Sequence, residues 1–315
     1  MDTIKIPPFT DTHIHFAVEG RPVQPDRLPG IMHELIKHGI FSVNDMGYKT
    51  GIGLEAKQLA GATKLPLKIK SAGYAIYRKG TYGVFIGKGV SGIEEIRKAV
   101  RYMADSGADF IKVVNSGIVS FKGTMHITPG GFPPDELNAI CDEAGESNLE
   151  VACHVNGDAA IMNAIQAGVK SIEHGYFISD ETLHAMKEKN VSWTPTVFAL
   201  LSYASELRLS ERRYMEEVIE DHLSSINYAA SIGVKLNIGT DSGSKGVKHG
   251  WSFFEELRLF QKAGLSSEQI LSAACMGEHE IDKGNYLIVK EDFINTKKLE
   301  AIFSGGRQIF FRQLF

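Results

Sequence analysis

Eight short apolar runs rich in β-branched residues recur along the chain. They lie at residues 10–16, 41–47, 67–74, 109–116, 149–155, 170–175, 191–197 and 234–241. Stretches with helical spacing separate them, for example 93–107, 135–147 and 159–168. Gly39, Gly107, Gly168 and Gly233 stand just before the next strand, where a helix must stop. Alternation of strand and helix demands a parallel sheet, because each strand returns only through a crossover. Eight such units in 315 residues predict an α/β fold of one kind, a closed (β/α)8 TIM barrel, rather than an open doubly wound sheet.

Composition narrows the partners. Hydrophobic residues make up 43% and charged residues 23%, as in an ordinary globular chain. A net charge of −4 gives no pull toward nucleic acid or an anionic membrane, so neither is expected as a partner. No apolar run reaches the length of a membrane-spanning helix, and the opening MDTIKIPPF lacks the apolar core of a signal peptide. Cys141, Cys153 and Cys275 are scattered without C-x-x-C spacing. That pattern fits a reducing, cytoplasmic setting better than a disulfide framework.

Four strand-to-helix connections are long: 75–92, 117–132, the region after Val197, and 242–250. In a barrel these loops gather at the C-terminal face, where active sites are built. Tyr77, Arg78, Tyr82, Lys122, Asn156, Tyr176, Thr196 and His249 lie in or beside that mouth and are candidate substrate contacts. The cations and tyrosines among them would suit a substrate carboxylate. His33, His38, His184, His222 and His279 fall in helical stretches and read as surface residues.

The ends of the strands carry the chemistry. FTDTHIHF places His13 and His15 on one side of the first strand, since residues i and i+2 face the same way. Lys112 lies in the fourth strand, His154 near the end of the fifth, His174 at the end of the sixth and Asp241 at the end of the eighth. A barrel interior is an apolar core, and an unpaired charge buried there is costly. Six ionisable groups at one height on five strands would converge on one point. Histidine with carboxylate suits Zn²⁺ or a similar divalent ion.

The ordered set DTHIH, GADFIKV, ACHVNG, IEHG and GTDSG resembles the amidohydrolase superfamily, in its imidazolonepropionase-like and Xaa-Pro-dipeptidase-like branch. The resemblance runs from Thr10 to about Gly306. It implies two divalent ions per chain, zinc foremost, with His13, His15 and Asp241 on one and His154 and His174 on the other. It also implies that Lys112 is carboxylated by CO₂ and bridges both. Burial favours the neutral amine that such a reaction needs. On this reading a metal-bridging hydroxide attacks a C–N bond in an amide, dipeptide, N-acyl amino acid or cyclic amide, with Asp241 as catalytic base and then acid. A mononuclear deaminase or imidazolonepropionase-like cyclic-amide hydrolase is the alternative, and Lys112 argues against it. A catalytically inactive binding barrel is the alternative of another class.

The sequence departs from the family in one respect. Members usually carry a β-sandwich, whereas here fewer than ten residues precede TDTHIH and only 285–293 and 298–315 read as further strands. The expectation is a barrel over 1–282 and a reduced C-terminal β appendage over 283–315, packed on the barrel or on a partner subunit in a homo-oligomer.

Overall fold

The computed structural model describes residues 2–121, 126–275, 277 and 279–309. The first seven barrel strands are Phe9–Ile14, Ile40–Asp45, Lys68–Ser71, Ile111–Val114, Val151–Val155, Ser171–His174 and Ser192–Thr194. Each is followed by a helix on the outside. The helix after the third strand, Ile93–Asp105, shows why. It buries Ile96, Ala99, Val100 and Met103, a spacing that forms one apolar stripe, and turns its charged residues outward. Gly168 and Gly233 end their helices in the left-handed conformation, with φ of 98° and 84°, as their placement predicts.

Two details differ from the sequence reading. The connection 75–92 is not only a loop. It holds two short parallel strands, Ala75–Arg78 and Gly87–Val90. The third strand pairs with the second through Lys68–Ser71. The chain then bends at Gly73 (φ 72°) and pairs with the fourth strand through Ala75–Arg78. The eighth segment, 234–241, makes no continuous ladder. It closes the barrel through separate contacts instead. Trp193 N donates to Lys235 O, and Asn237 N to Trp193 O, both at 2.9 Å. On its other side Thr12 N donates to Ile238 O at 2.9 Å and Asp241 N to His13 O at 2.7 Å. The chain is therefore an α/β barrel closed by hydrogen bonds between its eighth segment and its first strand.

A four-stranded antiparallel sheet lies outside the barrel. Thr3–Ile6 pairs with Tyr286–Lys290, which pairs with Ala301–Ser304 and then Arg307–Gln308. The small appendage thus draws a strand from before the barrel as well as strands after it. Residues 310–315, expected to pack on the barrel or a partner, lie outside the described residues. Among the described residues no helix is long and apolar enough to cross a membrane.

Closure depends on one residue without a side chain. A Cβ on Gly239 would lie 2.3 Å from Thr194 Cγ2, 2.7 Å from His13 Cβ and 3.0 Å from His13 N. Only glycine lets the eighth segment lie this close to the seventh and first strands. Gly239→Ala should lower stability by about 1–3 kcal/mol, as overpacking does. Thermal unfolding of the purified chain measures this, and an unchanged midpoint would mean that the closing segment has slack.

Candidate metal centre

The barrel brings the six predicted residues to one end. His13, His15, Lys112 and His154 are buried, and His174 and Asp241 are partly so. The His154 and His174 rings lie 4.5 Å apart between centroids, His13 and His174 5.0 Å, and His13 and His15 5.6 Å. Ligand atoms of His13, His15 and Asp241 all fall within 4.8 Å of one another. Asp241 Oδ1 is 3.2 Å from His15 Nε2 and 3.6 Å from His13 Nε2. All six line a single cavity of about 520 Å³.

Each imidazole gives one nitrogen to the protein. His13 Nδ1 donates to Glu173 Oε2 at 2.6 Å. The Ser171 hydroxyl already donates to the other oxygen of Glu173, at 2.5 Å, which leaves the carboxylate as acceptor. His15 Nδ1 donates to Gly47 O at 2.8 Å. His174 Nδ1 lies 2.6 Å from Thr196 Oγ1, whose own proton goes to Pro195 O at 2.8 Å, so the ring must be the donor. His154 is turned the other way, with Nε2 donating to Gly117 O at 3.2 Å. The nitrogens turned into the cluster are therefore Nε2 of His13, His15 and His174, and Nδ1 of His154, with His15 Nε2 facing Asp241 Oδ1 at 3.2 Å. This is the arrangement that metal-ligating histidines require, one lone pair inward and one N–H fixed by the protein.

Electrostatics agree for three of the four rings; burial lowers the fourth, His15, but its hydrogen bond with Asp241 and the charge of that carboxylate outweigh burial and raise it. Burial pushes His13, His154 and His174 down, His154 to about 4, with the Lys112 charge adding to the effect on His13 and His154. Ligation needs neutral imidazole, and these rings are neutral at ordinary pH. Burial also raises Asp241, but the hydrogen bond from His15 and the charges of His13 and His15 outweigh it and hold the carboxyl low. Burial lowers Lys112, against the pull of Glu173. Its Nζ has no hydrogen-bond partner although it is buried. An orphaned amine among inward-turned imidazole nitrogens fits a site for divalent ions.

The backbone is shaped for the same purpose. His174, Thr196 and Asp241 adopt positive φ of 69°, 50° and 57°. Such conformations cost energy in non-glycine residues and gather at functional sites. Thr196 is held by Glu256, whose two oxygens accept from Val197 N and Phe198 N at 2.8 Å each. Burial pushes that carboxyl up to about 8.

Of the candidate substrate contacts, Tyr82, Asn156, Tyr176 and Thr196 line the cavity. Asn156 and Thr196 use their polar atoms inside the protein. Asn156 Nδ2 donates to Gly117 O at 3.1 Å, and its Oδ1 accepts from Tyr176 N at 3.0 Å. Three candidates are not brought to the cavity. The Arg78 guanidinium is 3.4 Å from Glu136. Tyr77 is covered by Gly83 and Gly89, whose added Cβ atoms would meet it within 3 Å. His249 sits behind the first strand, where Nε2 donates to His15 O at 2.9 Å. Lys122 lies outside the described residues. His222, read as a surface residue, is 2% exposed and stacks on Tyr176 at 4.0 Å between ring centroids.

An α/β barrel whose strand ends present four histidines, a lysine and an aspartate is a scaffold for metal-dependent chemistry. The chain belongs to the amidohydrolase family, whose model matches residues 4–279. Ochratoxinase of Aspergillus niger is 30% identical over 288 residues, covering 77% of this chain and 59% of the fungal protein. The chain thus spans well under two thirds of that relative's length. An uncharacterized protein of Mycobacterium tuberculosis is 27% identical over 186 residues, covering 58% of this chain and 49% of its own length. Among solved structures, a Xaa-Pro dipeptidase with methionine in its active site superposes with a TM-score of 0.79 at 23% identity, covering 98% of this chain and 87% of that one. The A. niger ochratoxinase structure gives 0.76 at 23% identity, covering 96% and 82%. These two likenesses speak to the fold.

Glu173 was not singled out by the sequence. Strict strand alternation would turn it away from the side that His174 faces. The left-handed backbone of His174 breaks that alternation. The available signal was a carboxylate inside an apolar strand, which must find a partner. Glu173→Gln should weaken divalent metal binding about 10–100-fold, the usual cost of losing a carboxylate behind a ligating histidine. Competition with a chelator measures this. Unchanged affinity would show that His13 is oriented without it.

Proposed function

We propose that the chain is a hydrolase of C–N bonds in small amides, dipeptides, N-acyl amino acids or cyclic amides, working with two divalent ions, zinc foremost. The observation that carries this reading is the hydrogen-bonding of the four histidines, which turns one nitrogen of each ring into the cluster around Lys112 and Asp241. Family membership and the 30% identity to an ochratoxinase support it. His13, His15 and Asp241 would hold one ion, His154 and His174 the other, and Lys112, as a carbamate, would join them. When bound, such ions acidify water and polarise a carbonyl.

The chain's own residues do the rest. Asp241, on the cavity wall, accepts the proton of the attacking water and hands it to the leaving nitrogen. Glu173 and Thr196 keep His13 and His174 in the tautomers that ligation needs. The cysteines Cys141, Cys153 and Cys275 are free, which suits action in a reducing cytoplasm. The second reading, a one-ion deaminase or cyclic-amide hydrolase, draws on the compactness of the His13, His15 and Asp241 group. It leaves the buried Lys112 amine without a role.

Elemental analysis of protein purified without chelator should find about two divalent ions per chain. A value near zero, with no uptake of added Zn²⁺ or Mn²⁺, would overturn the proposal, and one ion would favour the second reading. Lys112→Ala should lose one ion and most activity, with partial recovery on adding short carboxylic acids. Asp241→Asn should keep the metal but slow kcat by about 10² to 10⁴-fold, the worth of a positioned acid–base group. A near-normal kcat on a confirmed substrate would rule Asp241 out as the base.

A further inference from the structure

The metal cluster forms the floor of the cavity, and its outer wall is of a different kind. Phe85, Ile118 and Tyr203 are large side chains left 40%, 43% and 39% exposed. They come from the connections after the third, fourth and seventh strands, yet all three line this one cavity. Phe121, Leu200 and Leu207 line it beside them, packed against the core. Exposed apolar side chains from separate loops that turn toward one space mark a surface that a ligand covers. The wall is continuous with the floor through aromatic rings. Tyr82 lies 5.6 Å from His154 and 5.3 Å from Phe85, between ring centroids.

Among the described residues the wall also carries no free charge. Apart from the metal cluster, Lys245 is the one Lys, Arg, His, Asp or Glu lining the cavity among the described residues, and Glu206 pairs with it. Arg78, which the sequence offered as a carboxylate binder, and its neighbour Lys79 are paired to Glu136 and Glu95. From this wall we infer that the substrate carries one bulky, uncharged, apolar group, aromatic by preference, seated among Phe85, Ile118, Phe121, Leu200, Tyr203 and Leu207. The inference rests on the proposed reaction for the word substrate, but the subsite can be tested without it.

N-phenyl-1-naphthylamine is an uncharged aromatic fluorophore, and its 8-sulfonate is the same skeleton with one negative charge. The full chain, freed of metal by chelator, should bind the uncharged probe saturably, one per chain, and the sulfonate at least about tenfold more weakly. Phe85→Glu and Tyr203→Glu change exposed side chains, and each should weaken the uncharged probe at least about tenfold without moving the thermal midpoint. Absence of saturable binding, or variants that bind within twofold of the parent, overturns the subsite. With metal restored, a naphthoyl amide should be cleaved with kcat/KM at least about tenfold above that of the matching acetyl amide, and Phe85→Glu should erase the difference. Cleavage of both without preference overturns the subsite and leaves the reaction standing. Probe binding that both variants weaken, with no cleavage of any amide, supports the subsite and counts against the reaction.

Discussion

Imidazoles packed ring against ring at the end of an apolar barrel cannot all be charged, and none can be left without hydrogen bonds. The protein meets both demands by giving each ring one fixed acceptor: Glu173, Gly47 O, Gly117 O and Thr196. Much of the surrounding structure serves these four acceptors. Glu256, from the helix Trp251–Lys262, grips the amides after Thr196 and so sets the angle of His174 from the far side of the wall. His249 does similar work for His15 by bonding its carbonyl. The clustered histidines are therefore only the inner layer of this end of the barrel, and their precise setting comes from buried carboxylates and carbonyls behind them.

The parts of this design differed in how well the sequence displayed them. Barrel strands and helices were legible because apolar periodicity is a local signal, and helix-ending glycines such as Gly168 and Gly233 fixed their limits. The six clustered residues were legible because ionisable groups stand out in apolar strands. The supporting residues were not. Glu173 contacts His13 across 160 positions and Glu256 reaches Val197 across 59, and no local pattern reports such pairs. The irregular eighth segment was read as a plain strand because its apolar alternation is normal, whereas its spacing is dictated by contact between Gly239 and its neighbours.

One connection at the mouth is built differently from its sequence reading for a related reason. Arg78, Lys79 and Tyr77 sit in a connection that reads as loop, and loop cations invite a role in binding. The chain there forms two further strands, which commit Tyr77 to the core and leave the cations to pair with Glu136 and Glu95. The residues that do line the cavity from this connection are Tyr82, Phe85 and Ile86, two aromatic and one aliphatic.

Gly117 O accepts from both His154 and Asn156, and Gly117 is also the first residue of the connection 117–132. One peptide group thus belongs at once to the support of the histidine cluster and to the root of the connection that carries Ile118 and Phe121. Any change that re-aims the root turns His154 with it, while residues beyond it can vary with less effect on the cluster. Divergence of substrate preference in such a chain would therefore concentrate in side chains that follow the anchor, such as Ile118 and Phe121, and spare Gly117 itself. The loop is free to explore new ligands because its attachment is not.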